Sequence, residues 1–175
     1  MMNIGDSRSV VCRKSEVFFA TDDHKPTHYS ERMRIEKAGG HVSQNRVNGQ
    51  LAVSRALGDF EMKRNSACDQ ISQLVSPEAD ITGKVTRRVL IVVVVRTLFV
   101  TSIKVLDRIE ETDNFITICC DGIFDVMTNE EVVNYFLKRI PYKRNLKDLC
   151  EDLADYCCHK VSSRDHKFLG NSLKL

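Results

Sequence analysis

Residues 115–125 read FITICCDGIFD and form the most informative local pattern in the chain. The run at 115–120 is short and nearly all apolar, which is typical of a β-strand buried on both of its faces. The strand ends at Asp121, so we expect this carboxylate to be held rigidly at the edge of a sheet. Gly122 permits a close approach of the backbone to a ligand, and Asp125 shares the same site if the chain turns there.

Carboxylate and carbonyl oxygens are the ligands that Mg²⁺ and Mn²⁺ prefer, whereas zinc favours nitrogen and sulfur. Two further carboxylates lie beside predicted elements: Asp6 precedes a strand, and Asp165 follows the last helix. Three such aspartates can converge on a centre in which two ions, about 3.5–4 Å apart, activate a water. The alternative is that each aspartate merely caps a turn. Spacing along the chain leaves both readings open.

Two helices are predicted after this strand. Thr128 and Glu131 form a capping box at the start of the first helix, and Pro141 ends it. In the second helix, apolar residues repeat with the spacing of an amphipathic helix. They are Leu146, Leu149, Cys150, Leu153, Ala154 and Cys157.

The N-terminal part predicts a β-hairpin, because apolar runs at 10–12 and 17–20 flank a polar turn. Ser30 suits the N-cap of a helix over 31–38, and the following pair of glycines suits its end. Asn48-Gly49 is a strong turn signal that predicts a connection between two short strands. Strands and helices without regular βαβ alternation indicate an α+β layered domain.

Residues 85–105 contain the apolar run LIVVVV and, after Arg96-Thr97, the run LFV. The unbroken apolar stretch is shorter than the roughly 20 residues that span a bilayer, and Arg96 lies near the centre of the segment. Its many β-branched residues instead predict a strand or an aggregation-prone segment. We therefore expect no membrane partner.

The 175 residues carry 26 Lys and Arg against 24 Asp and Glu, a formal net charge of +2. This balance lacks the basic excess of a nucleic-acid-binding protein. The seven cysteines show no C-x-x-C spacing, so reduced thiols packed as small hydrophobic side chains are expected. The first residues have neither the basic nor the apolar segment of a signal peptide. These features predict a cytoplasmic or nuclear protein.

Longer phrases of the chain carry a family resemblance. In order, they are NIGDSR (3–8), DHKP (23–26), RVNGQLAVSRALGD (46–59), LVSPE (74–78), CDGIFDVM (120–127) and SRD (163–165). They resemble the metal-dependent, type 2C (PPM-type) protein serine/threonine phosphatases over about residues 3–82 and 107–165. Residues 83–106 read as an atypical insertion and 166–175 as a divergent tail. The chain 1–175 thus resembles one partial phosphatase domain.

The resemblance implies a partial four-layer α-β-β-α sandwich of antiparallel sheets flanked by helices. It also implies hydrolysis of phosphoserine and phosphothreonine in phosphoprotein substrates by a metal-activated water, so no protein side chain is expected as the nucleophile. Asp121 and Asp165 resemble ligands of the catalytic Mg²⁺ or Mn²⁺ pair. Asp6 and Asp125, with Asp121, resemble the surroundings of a third, weaker ion.

The chain also departs from the family pattern. The family's D-G-H-G-G motif, which supplies metal ligands and a candidate general-acid histidine, is absent, because Asp121-Gly122 is the only Asp-Gly pair. We therefore expect the isolated chain to be a strongly impaired phosphatase. One alternative is a non-catalytic pseudophosphatase that binds phosphoproteins through the flap-like residues 26–47. Another is a chain with no stable fold, since a truncated sandwich exposes sheet edges.

Overall fold

The structure, a computed structural model, describes residues 1–81, 91–94, 113–142 and 145–171. Side chains are described within these ranges except at 91–94, 113 and 162–171. The chain divides into two compact units. The first unit comprises Met1–Ser7 and Thr21–Lys84, and the second comprises Arg8–Ala20 and Val85–Leu175.

Eight strands and four α-helices are found in the described residues. The strands are β1 (Met2–Asn3), β2 (Arg8–Arg13), β3 (Glu16–Ala20), β4 (Val42–Ser43), β5 (Arg46–Val47), β6 (Asp80–Ile81), β7 (Ile91–Val94) and β8 (Asp113–Cys119). The helices are α1 (Tyr29–Lys37), α2 (Asp121–Phe124), α3 (Asn129–Arg139) and α4 (Leu146–Asn171), with a 3₁₀ turn at Phe60–Lys63. The α+β prediction is confirmed.

The second unit is built on a four-stranded sheet with the order β3-β2-β8-β7. The predicted hairpin is confirmed as the antiparallel pair β2–β3, with Lys14 and Ser15 at positive φ in its turn. Strand β8 pairs antiparallel with β2, so that Arg8 lies opposite Cys119. On its other side β8 pairs with β7 in parallel, a pairing that the sequence pattern did not predict.

Helices α3 and α4 supply the apolar side chains that cover one face of this sheet. Alternate residues of β2 and β8 point to that face because successive side chains of a strand alternate. The sheet contributes Val10, Cys12, Phe115 and Cys119 to the core, and the helices contribute Val132, Val133, Phe136, Leu149, Leu153 and Cys157. Both predicted helices are thus confirmed, including the capping box of Thr128 and Glu131.

The first unit has a smaller core, made of Ile35, Val47 and Val75. Its two-stranded sheets pair β1 with β6 and β4 with β5. The two glycines that end α1 have different roles. Gly39 adopts a φ of +86°, which favours glycine, while a Cβ on Gly40 would lie 2.4 Å from Leu74 Cδ2.

Two local predictions need correction. Helix α1 begins at Tyr29, with His28 as its N-cap, so Ser30 lies inside the first turn. The reason is that the chain already turns after Pro26, where the His28 N–H donates to the Lys25 carbonyl. The Asn48-Gly49 turn is present, but it joins only the single bridge of Val47 with Leu51. The regular partner of β5 is β4, across a turn at residues 44–45.

Most of the 85–105 segment lies outside the described residues. The part that is described, β7, is a strand, as predicted. Among the helices that the structure describes, none has the length and apolar character needed to cross a membrane.

The edge-to-face contact of Phe115 with Phe136, at a ring-centroid distance of 5.7 Å, lies at the centre of the second unit's core. We expect Phe136→Ala to lower the free energy of unfolding by about 3–5 kcal/mol, because it removes a fully buried ring and leaves a cavity. Urea unfolding followed by far-ultraviolet circular dichroism measures this. Tyr142→Ala is the matched control, since that ring is 87% exposed. An equal effect of both substitutions would contradict the proposed core.

Candidate functional site

The carboxylates of Asp121 and Asp125 lie one helical turn apart. Strand β8 ends at Cys119, and the chain turns at once into the four residues of α2. The Asp125 N–H donates to the Asp121 carbonyl at 2.8 Å, which is an α-helical hydrogen bond. Residues four apart share one face of a helix, and both aspartates are exposed. The structure therefore brings these two predicted site residues together.

Buried neighbours fix this turn on the second unit. The side chains of Ile123, Val126 and Met127 all belong to the apolar core. One oxygen of Asp121 accepts a hydrogen bond from the Gly122 N–H at 2.8 Å, which orients the carboxylate. Apolar residues thus anchor the underside of the turn while its two carboxylates face solvent.

Asp6 lies in the first unit, two residues before β2, as the sequence predicted. Its Oδ2 atom is 2.6 Å from Lys25 Nζ, and both side chains are partly exposed. Lys25 follows the loop residue His24, whose N–H donates to the Gly5 carbonyl at 2.9 Å. This backbone contact holds the Asp6 and Lys25 segments side by side.

The position of Asp165 differs from its prediction. Its backbone lies inside α4, which continues to Asn171, and not after the last helix. The reason is that no glycine or proline interrupts the chain between Leu146 and Phe168, so nothing ends the helix earlier. The Asp165 side chain is not among those described. Its assignment as a metal ligand, like those of Asp6, Asp121 and Asp125, stays a prediction.

The donor chemistry of Asp121 and Asp125 fits a hard divalent cation. Mg²⁺ in proteins is commonly bound through one or two carboxylates and completes its shell with water and substrate phosphate. Within the described ranges, no three His, Cys, Asp or Glu side chains form a group that could hold a metal ion. Asp121, at the start of α2, and Asp125, its C-cap, therefore fit part of a metal site and require further ligands to complete it.

A buried carboxylate organises the first unit, and sequence reasoning missed it. Glu31 on α1 is 3% exposed and accepts hydrogen bonds from Ser54 Oγ and from Arg34 Nη1, both at 2.6 Å. Arg55 donates to the same carboxylate through Nε and Nη2, and its Nη1 reaches Asp80 Oδ1 at 2.8 Å. Two guanidinium groups thus surround one carboxylate.

Burial alone would raise the pKa of Glu31, but hydrogen bonds from Arg55, Ser54 and Arg34 lower it from 4.5 to about 2. Conversely, the hydrogen bonds to Glu31 raise the pKa of Arg55. Glu31 is therefore ionised in the folded chain at neutral pH. A buried charge of this kind is tolerated because charged donors satisfy both of its oxygens.

His24 joins this network to the start of the chain. Its Nδ1 atom accepts a hydrogen bond from the Gly5 N–H at 3.1 Å, and its carbonyl accepts from both the N–H and the hydroxyl of Ser54. Its Nε2 atom lies 3.2 Å from Asp80 Oδ2 but is not aligned for a hydrogen bond. The His-Lys-Pro phrase thus has a structural role that its residue types alone did not indicate.

Three of the seven cysteines have the buried packing role that the sequence predicts, whereas Cys158 is exposed. All seven are free thiols, and Cys12, Cys119 and Cys157 are buried. Burial raises the pKa of Cys119 to about 12 and that of Cys157 to about 11. Protonated thiols are poor nucleophiles, so neither residue is a candidate for covalent catalysis.

The family model described as "Protein phosphatase 2C" matches residues 1–89 and 100–165. The chain belongs to the protein phosphatase 2C family. Protein phosphatase 1A of Bos taurus is similar to this phosphatase 2C chain, with 41% identity over 165 residues, 94% of the chain and 37% of that protein. Protein phosphatase ppm-1.A of Caenorhabditis elegans is 42% identical over 164 residues, 94% of the chain and 30% of that protein.

Among solved structures, a crystal structure of a phosphatase from Toxoplasma gondii matches with a TM-score of 0.63 and 25% identity. The match covers 91% of this chain and 43% of that one. It confirms the phosphatase 2C-like fold class. The chain spans about a third of the length of the curated relatives it matches.

The network around Glu31 predicts an acid-sensitive first unit in this phosphatase 2C chain. The pKa of Glu31 is about 2 in the folded chain against 4.5 ordinarily. Its contribution to the free energy of unfolding is therefore fully present above about pH 4.5. It is lost as the pH falls towards 2, by on the order of 3 kcal/mol. Amide hydrogen exchange in α1, measured at intervals between about pH 5 and 2.5, reports this loss after correction for the intrinsic pH dependence of exchange.

Two variants separate this effect from general acid denaturation. Glu31→Gln should destabilise α1 at neutral pH and flatten the acid response, because the two arginines lose their buried anion. Glu36→Gln is the matched control, since its carboxylate pairs with Arg32 on the exposed side of the same helix. If Glu31→Gln kept the full acid response, Glu31 would not be its source.

Proposed function

We propose that this chain carries part of the catalytic domain of a metal-dependent protein serine/threonine phosphatase. The observation that carries the proposal is the family match over 1–89 and 100–165, which includes the turn that holds Asp121 and Asp125. Phosphoserine and phosphothreonine residues of proteins are the proposed substrates. Hydrolysis of these esters needs no nucleophilic side chain, in agreement with the raised pKa values of the buried thiols.

Asp121 and Asp165 are proposed as ligands of a catalytic Mg²⁺ or Mn²⁺ pair, and Asp125, together with Asp121, as part of the surroundings of a third, weaker ion. A divalent cation, when bound, would supply Lewis acidity and lower the pKa of a bound water towards neutral pH. Neighbouring residues of the chain fix the positions of the Asp121 and Asp125 carboxylates. The apolar anchors Ile123 and Met127 hold the α2 turn, and the Gly122 N–H orients one oxygen of Asp121.

The isolated chain is proposed to be strongly impaired. The sequence lacks D-G-H-G-G, the family motif that supplies a metal-bridging aspartate and a candidate general acid. Each missing carboxylate lowers the affinity for the ion and leaves part of its charge uncompensated. We further propose a cytoplasmic or nuclear location, which the seven free thiols support, and expect neither nucleic acid nor membrane as a partner.

The test is phosphate release from a phosphothreonine peptide by the purified chain, with and without millimolar Mn²⁺. We expect weak turnover that depends on the metal and is abolished by Asp121→Asn, because this variant removes a charged ligand and keeps the shape of the side chain. Asp155→Asn is the matched control, since Asp155 is an exposed aspartate of α4 that does not belong to the family phrase at 120–127. Turnover that survives Asp121→Asn would contradict the proposed site.

The second candidate is a pseudophosphatase that binds phosphoproteins without hydrolysing them. The absence of D-G-H-G-G favours it. A folded chain that shows no turnover yet binds the phosphothreonine peptide more tightly than the unphosphorylated peptide would support this candidate. Fluorescence anisotropy of the two labelled peptides measures the difference.

A further inference from the structure

The turn that holds Asp121 and Asp125 cannot be stable by itself. Helix α2 has four residues, whereas isolated helices shorter than about 12–15 residues are marginal in water. Its N-cap, Cys120, makes no side-chain capping hydrogen bond. The orientation of the two carboxylates must therefore come from contacts with other parts of the second unit.

Arg8 makes two of these contacts. Its guanidinium carbon lies 4.4 Å from the centroid of the Phe124 ring, the last residue of α2. Its Nη1 atom donates to Asn129 Oδ1 at 2.9 Å. Asn129 is the first residue of α3 and directly follows Thr128, the N-cap residue whose capping box with Glu131 fixes the start of that helix. One half-buried side chain thus contacts both helices on either side of Asp125.

The backbone of Arg8 is itself fixed close to Asp121. Arg8 lies opposite Cys119 in the antiparallel β2–β8 ladder. Cys119 in turn comes two residues before Asp121 in the chain. The guanidinium therefore reaches from a rigid strand to the far end of α2. The strand anchors the first residue of the turn through β8, and the Arg8 side chain anchors its last residue through Phe124.

We propose that Arg8 is a positioning residue that holds Asp121 and Asp125 in the orientation needed to bind a divalent cation. This inference rests on the proposed function, because it assigns a role towards the metal site of that function. Arg8 acts through Phe124 and Asn129 and needs no contact with the ion. A stacked, hydrogen-bonded arginine suits this task because its planar group serves both contacts at once.

The first test measures the affinity of the full chain for Mn²⁺ by electron paramagnetic resonance of the free ion, well below the unfolding temperature. We expect Arg8→Met to weaken Mn²⁺ binding about tenfold, because it removes the cation–π contact and the hydrogen bond and keeps most of the side-chain length. Arg8→Lys should give an intermediate affinity, since lysine retains the charge but not the planar stack.

The matched control is Arg13→Met. Arg13 lies at the other end of the same strand, and its guanidinium stacks on Phe18 at 3.7 Å. This variant removes an arginine–phenylalanine contact of the same kind from the same sheet, but not from α2. We expect its Mn²⁺ affinity to equal that of the unaltered chain. Equal affinities for Arg8→Met and Arg13→Met would overturn the proposal.

The second readout needs no metal and separates this proposal from the proposed function. Amide hydrogen exchange at Asp125 and Met127, whose N–H groups donate within the turn, should be about tenfold faster in Arg8→Met and unchanged in Arg13→Met. If the unaltered chain bound no Mn²⁺ at millimolar concentration, the proposed metal site would fail, and exchange would still decide whether Arg8 holds the turn. Unchanged exchange in Arg8→Met would refute that role.

A third variant covers the case in which Arg8→Met does not fold. Phe124→Leu removes the ring face under the guanidinium and keeps an apolar side chain of similar length. The proposal requires it to weaken Mn²⁺ binding and to speed exchange at Asp125. An effect on neither would overturn the proposal.

Discussion

The antiparallel ladder between β2 and β8 is the interaction on which the second unit depends. It joins segments about 100 residues apart in the chain and makes β8 a central strand. Three consequences follow from its register. It aligns Val10 and Cys12 with Phe115 on one face, which α3 and α4 then cover. It determines where β8 ends and hence where Asp121 stands. It also places Arg8 beside the turn that follows.

The sequence predicted those elements whose signals are local. The apolar run 115–120, the Thr128–Glu131 capping box and the amphipathic pattern of α4 each contain their own evidence, and the structure has all three. It did not predict the parallel pairing of β7 with β8. Which strands become neighbours depends on contacts between distant segments, which no short pattern encodes. The β4–β5 pair was missed because its turn, at Gln44 and Asn45, has no glycine although both residues adopt positive φ.

The residues of the candidate site also fall into those that a local sequence pattern predicts and those that only the folded chain reveals. Asp121 and Asp125 could be named from one short phrase, because a strand end followed by glycine is a local feature. The buried cluster around Glu31 could not. A glutamate near the start of a helix is normally exposed and favoured by the helix dipole. Only the folded chain shows that Arg55, from a loop 24 residues away, neutralises it. The Arg8–Asn129 contact spans 121 residues and is equally invisible in the sequence.

The long separation of β2 from β8 also sets an order of events during synthesis. Ribosomes add about 5–20 residues per second, so the β2–β3 hairpin emerges about 5–20 s before β8 can pair with it. During that interval one edge of β2, with its apolar Val10 and Cys12, has no strand beside it. A nascent chain in this state has an unpaired strand edge, to which another strand can add. Strand β2, whose Arg8 contacts the turn that holds Asp121 and Asp125, thus remains without its partner β8 until about 100 further residues have been synthesised.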